Sequence, residues 1–130
     1  MLRTLGLAAA LPSAATLAGC SASGNAPVVT MQNFAFQPRR LTVAPGTTVE
    51  WTNDSDDPHT VTAYEDEIPE TAAYFASGDF DTESAARNDV GGGLVGAGDS
   101  FTHTFEVPGT YRYYCIPHES SGMAGEIVVE

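Results

Sequence analysis

Cys115, His118 and Met123 fall within nine residues of one another, in the stretch YYCIPHESSGMAG at 113–125. The whole chain has two cysteines, three histidines and three methionines, so scarce side chains with metal affinity are concentrated in one loop. Thiolate and thioether are soft donors that select copper, Cu(I) above all. Zinc accepts cysteine and histidine but gains little from a thioether, and takes water or a carboxylate as its fourth partner. The spacing Cys-x2-His-x4-Met leaves one ligand to come from elsewhere. Only His59 and His103 remain. His59 opens a predicted strand directly after the loop DSDDP. His103 lies mid-strand between Phe101 and Phe105 and is read as a half-buried polar residue. A metal site at the end of a strand-built fold suits His59.

The elements that must carry these residues are mostly strands. VVTMQNFAF alternates loosely, with Phe34 and Phe36 expected on one face and Met31 in the core. LTV follows the turn QPRR, and APG is a turn before TTVEWTN, where Val49 and Trp51 share a face. HTVTAY alternates again. SFTHTFEV puts Phe101, His103 and Phe105 together, YRYYC puts Tyr111, Tyr113 and Cys115 on one side, and GEIVVE closes the chain. Short strands with Gly/Pro turns predict an all-β, antiparallel sandwich. Residues 65–98 break the pattern and are expected to form a long helical and loop excursion between two strands. There PETAAYFAS is a candidate helix with Pro69 in its first turn, and DTESAARND is another, with Asp81 as N-cap. An immunoglobulin domain would pair Trp51 and the Tyr-Tyr-Cys stretch with a cysteine on an earlier strand. No cysteine lies between Ser21 and Tyr114.

The first nineteen residues have one positive charge, Arg3, then an Ala/Leu-rich run ending in small residues, the pattern of a secretory signal. LAGC resembles a lipoprotein signal, in which the cysteine becomes the lipid-bearing first mature residue; Cys20 matches it. The organisation read from this is a signal at 1–19, a flexible tether at 20–27 and one domain at 28–130. Lipid on Cys20 is expected to hold the exported domain at the outer face of the cytoplasmic membrane. That use of Cys20 leaves it unavailable for a disulfide with Cys115. The chain has 17 acidic residues, five arginines and no lysine, for a formal charge of −12, or −13 once Arg3 leaves with the signal. Such a surface repels phosphate, so nucleic acid is excluded as a partner. The acidity fits a salt-loving microbe, where salt screens self-repulsion; docking to a basic partner is the other reading. Asp54, Asp56 and Asp57 are read as a solvated loop.

Two imidazoles and a thiolate in a plane, with a long axial thioether, describe a type 1 (blue) copper electron-transfer site. TYRYYCIPHESSGMAGEIVV resembles the C-terminal signature of the cupredoxins, in their plastocyanin- and halocyanin-like branch. FQPRRLTVAPGTTVEWTN is similar to that family's early strands, and PHTV followed by EDEIP to the segment bearing its first histidine. The match covers roughly residues 28–64 and 99–130. The resemblance implies a Greek-key sandwich with one type 1 copper (Cu+/Cu2+), held by His59, Cys115, His118 and Met123, that shuttles single electrons. Where plastocyanin has asparagine after its first histidine, this chain has Thr60. The excursion at 71–98 is less alike.

On this reading Pro117 stiffens the ligand loop, Gly122 permits the turn returning Met123 to the metal, and the Thr60 N–H faces the Cys115 sulfur. Electrons pass at the edge of His118, where redox partner proteins dock. No substrate chemistry is involved: the protein is expected not to be an enzyme and to take no small-molecule substrate. A multicopper oxidase needs a further histidine cluster that three histidines cannot supply. A copper delivery or storage lipoprotein and a metal-free binding sandwich are the alternatives.

Overall fold

A computed structural model describes residues 26–130. The signal at 1–19, Cys20 and most of the tether at 20–27 lie outside the described residues. Among the described residues, eight strands form two sheets: β1 (Val28–Gln32), β2 (Ala35–Gln37), β3 (Arg40–Val43), β4 (Thr47–Asn53), β5 (Thr62–Ala63), β6 (Ser100–Phe105), β7 (Gly109–Tyr114) and β8 (Ala124–Val129). One sheet has the order β2-β1-β4-β6 and the other β3-β8-β7-β5. The chain crosses from the first sheet to the second between β2 and β3, and returns through the Ala44–Gly46 turn. That turn is closed by Thr47, whose hydroxyl donates to the Ala44 carbonyl at 2.6 Å, and Gly46 takes φ +89°.

The sandwich is all-β as expected, but it is not wholly antiparallel. β1 pairs with β4 in parallel, Val29 opposite Trp51, and β3 pairs with β8 in parallel, Leu41 opposite Ile127. Alternation along one strand says which face is inward and nothing about which strand lies alongside, so these pairs had no signal. The inward faces meet at Trp51, which is fully buried among Phe75, Phe101, Phe105 and Tyr113, with ring centroids 5.4–6.2 Å away. Burying each such side chain contributes on the order of 2–3 kcal/mol, and the same buried cluster takes in Cys115 and Met123. Met31 is buried here, as expected.

Three local expectations are corrected. Phe34 and Phe36 do not share a face: the chain turns at Asn33–Phe34, Phe34 adopts φ +64° and stays half exposed, and Phe36 enters the core. HTVTAY does not alternate, because His59 to Ala63 are buried on both sides and only Thr62–Ala63 is strand. PETAAYFAS is not a helix. Its C-terminal part extends the second sheet beyond β5, with Ala63 N–H donating to the Phe75 carbonyl at 3.2 Å and Ser77 N–H to that of Val61 at 2.7 Å. One short helix does form, α1 (Glu83–Asn88), with Thr82 rather than Asp81 as its cap; the Thr82 hydroxyl accepts from the Ala85 N–H at 3.0 Å. Six residues cannot hold a helix alone. Tertiary contacts do it: Ala86 is buried, and Glu65 and Glu83 each accept the other's backbone N–H at 3.0 Å.

Candidate metal centre

The candidate ligand side chains come from two distant stretches, His59 between β4 and β5 and residues 115–123 between β7 and β8, and are brought together. β4 ends at Asn53, a loop of exposed aspartates follows, and the chain re-enters the interior at His59. There His59 exchanges two backbone hydrogen bonds with Val95, at 3.1 and 2.7 Å. β7 ends at Tyr114 and delivers Cys115, followed by a 3-10 turn over Ile116–Ser121 that carries His118. Pro117 sits in the first turn of that segment, where its missing N–H costs nothing. Gly122 then takes φ +85°, which reverses the chain into Met123. The Cys115 N–H donates to the Met123 carbonyl at 3.0 Å, and the Met123 N–H to that of His118 at 3.3 Å. The loop is therefore stitched ligand to ligand.

Cys115 Sγ lies 3.5 Å from Nδ1 of His59 and 3.5 Å from Nδ1 of His118. All three donor atoms are within 4.8 Å of one another. A planar trigonal ion with bonds of about 2.0 Å to nitrogen and 2.3 Å to sulfur needs nitrogen–sulfur separations of about 3.7 Å. The observed spacing fits that requirement without rearrangement. Met123 is fully buried on the same loop. His103, the other histidine, is remote from this group in role: it stacks on Phe75 at 4.6 Å, half buried on β6.

The surroundings favour the ligand forms unequally. Burial, then the nearby His118, lowers the basicity of His59, with Asp57 opposing; a neutral imidazole is what a metal binds. Burial pushes the Cys115 thiol up, partly offset by hydrogen bonds from Thr60. The Thr60 N–H donates to the sulfur at 3.4 Å, as expected, and the Thr60 hydroxyl accepts the Ile116 N–H at 2.8 Å. Thr60 thus braces both ligand segments. His59 is sealed from solvent, whereas His118 is only partly buried and meets the exposed Phe34 edge-on at 4.9 Å.

The sequence model of the copper binding proteins, plastocyanin/azurin family, matches residues 25–130. The chain belongs to this family. Among curated relatives, it is 35% identical over 97 residues to the plastocyanin of Scenedesmus fuscus, covering 75% of this chain and 88% of that one. It is 36% identical over 96 residues to that of Daucus carota, covering 74% and 88%. Among solved structures, a purple cupredoxin from Nitrosopumilus maritimus superposes with TM-score 0.59 at 26% identity, over 80% of this chain and 99% of that one. An amicyanin Met-to-Leu mutant superposes with TM-score 0.60 at 28% identity, over 81% and 82%. In this cupredoxin, His59, Cys115, His118 and Met123 are arranged as a type 1 copper site.

Several residues around the site carried no legible signal. Arg87 of α1 reaches Glu119, next to His118, with two parallel hydrogen bonds of 2.9 and 3.2 Å, and also Glu83 at 3.0 Å. Its guanidinium lies 4.5 Å above the Tyr114 ring. Tyr114 donates to Glu83 at 2.8 Å and Tyr64 to Glu119 at 3.1 Å. The excursion therefore grips the ligand loop from outside. Phe34 and Ser55 lie in loops without periodicity, and no spacing rule marks them.

Proposed function

We propose that this cupredoxin is a single-electron carrier, with one copper ion held by His59, Cys115, His118 and Met123. The observation that carries the proposal is the pair of 3.5 Å spacings from the Cys115 sulfur, in a site where one histidine is sealed and the other reaches the surface. When bound, copper supplies a reversible one-electron couple. The chain's part is to hold the donors still: Thr60 ties the His59 segment to Ile116, and Gly122 and Pro117 shape the loop. A frame that does not move when an electron arrives or leaves keeps the reorganisation small. The Thr60 N–H favours thiolate charge and so tunes the potential.

Electrons enter and leave at the His118 edge, where Phe34 offers an apolar contact for a redox partner protein. No bond is made or broken in any substrate, and the protein is not an enzyme. Lipid on Cys20 tethers the domain to the outer face of the cytoplasmic membrane, a reading supported by the LAGC stretch. Two lipid chains anchor stably where one does not, so Cys20→Ser should move the protein from membranes to the soluble fraction. Full retention on membranes would refute the tether. Electron self-exchange of the copper-loaded protein, followed by NMR line broadening, tests the carrier function. Fast exchange with slow metal loss is expected; slow exchange with rapid metal transfer to a chelator would favour copper delivery instead.

A further inference from the structure

His59 can bind a metal through Nδ1 only if its other ring nitrogen carries the proton, and the structure contains a group that decides this. Nε2 of His59 lies 2.8 Å from the Ser55 hydroxyl. A hydroxyl can donate or accept, so that contact alone leaves the tautomer open. The remaining partners of Ser55 close the question. Its hydroxyl has one proton, and two pure acceptors compete for it: Asn53 Oδ1 at 2.7 Å and the Asp57 carbonyl at 3.0 Å. A hydroxyl that gave its proton to the ring would leave its oxygen against both of these acceptor oxygens with no hydrogen between them, so towards the ring it accepts, and Nε2 is the protonated nitrogen.

The polarity is set one step further back. Asn53 is buried, 1% exposed, at the last position of β4. Its Nδ2 donates to two carbonyls, Asp57 at 2.7 Å and Val95 at 2.9 Å. Its Oδ1 accepts the Ser55 backbone N–H at 2.9 Å. Backbone groups cannot exchange donor and acceptor roles, so the amide has one possible orientation. Val95 is also the residue whose backbone pairs with His59, so the same side chain fixes where the ring is rooted.

We infer that Asn53 and Ser55 form a relay of fixed polarity that selects the Nε2–H tautomer of His59 before any metal arrives. Both are positioning residues; neither touches the ion. The inference rests on the copper-site reading for its purpose, but the relay exists in the metal-free chain. Losing a group that orients a metal-bound histidine typically costs about 10–100-fold in metal affinity. Ser55→Ala should lose affinity on that scale, and Ser55→Thr, which keeps the hydroxyl, should restore it.

The test is a long-range proton–nitrogen correlation spectrum of the imidazole rings in the metal-free full chain, at about pH 8, above the imidazole range. His59 in the unsubstituted protein and in Ser55→Thr should be protonated at Nε2 alone. Ser55→Ala should show a mixture of tautomers with an unchanged circular dichroism spectrum, and weaker Cu(I) binding in competition with a chelator. A His59 protonated at Nδ1 in the unsubstituted chain would overturn the relay, and that spectrum needs no variant to fold. So would a Ser55→Ala protein that keeps the single tautomer and full affinity. Failure of both the unsubstituted chain and Ser55→Thr to bind Cu(I) would instead strike the copper reading, which keeps the two outcomes apart.

Discussion

Replacing Arg87 with glutamine tests whether the excursion holds the ligand loop. Arg87 makes two hydrogen bonds to Glu119 and one to Glu83, with its side chain 40% exposed and those of the two carboxylates 35% and 20% exposed. Exposed pairs contribute about 0.2–1 kcal/mol each, and a partly exposed guanidinium over the buried Tyr114 ring about 0.5–1 kcal/mol. Screening by solvent keeps the total near 1–2 kcal/mol. For a domain of this size that corresponds to a fall in melting temperature of about 4–8 °C. Arg87 is the main cause of the lowered pKa of Glu119. For Glu83, burial pushes the pKa up, and bonds from Glu65, Tyr114 and Arg87 outweigh it. Folded carboxylates held below their unfolded values stabilise at neutral pH and lose that contribution as pH falls through the folded values. The deficit of Arg87→Gln should therefore be full at pH 7, shrink in acid, and shrink at about 1 M salt, where the screening length is about 3 Å. Thermal unfolding gives the deficit, and amide exchange over 116–121 should quicken in the variant. An unchanged melting temperature with unchanged exchange would refute the clamp.

Three further outcomes follow from individual positions. A Cβ at Gly125 would lie 2.7 Å from the Tyr113 hydroxyl oxygen and 2.9 Å from the Arg39 carbonyl, so Gly125→Ala should lose about 1–3 kcal/mol in denaturant unfolding; full stability would show that β8 shifts freely. Phe34→Gly relieves a left-handed residue, worth about 1 kcal/mol, while removing the apolar contact beside His118. Stability should hold or rise as electron transfer to a partner protein slows, and an unchanged rate would remove Phe34 from the docking face. Because burial holds the Cys115 thiol protonated, metal uptake must displace that proton. Apparent copper affinity should rise about tenfold per pH unit while the thiol stays protonated, and a flat profile in competition titrations would contradict this.

The ligand loop was legible because Cys115, His118 and Met123 are rare residues at short, fixed spacing, and because two histidines were the only remaining candidates. The inward faces of β4, β6 and β7 were legible from Val49 and Trp51, Phe105, and Tyr111 and Tyr113, since a half-buried strand repeats every second residue. His59 to Ala63 escaped that rule by being buried on both sides. The cap of α1 moved from Asp81 to Thr82 because both are good caps and the choice depends on where Glu65 meets the helix. Arg87 and Glu119 are 32 residues apart and Ser55 sits in an acidic loop. Their roles arise only once the chain has folded back on itself, which no local pattern records.

The most direct test of the copper site is the paired optical and electron paramagnetic resonance spectrum of Cu(II)-loaded protein, with Cys115→Ser alongside. An intense blue thiolate charge-transfer band with a narrow copper hyperfine splitting, both lost in Cys115→Ser, is expected. Weak absorption with a wide, tetragonal splitting that survives Cys115→Ser would mean that these four side chains do not meet on one ion.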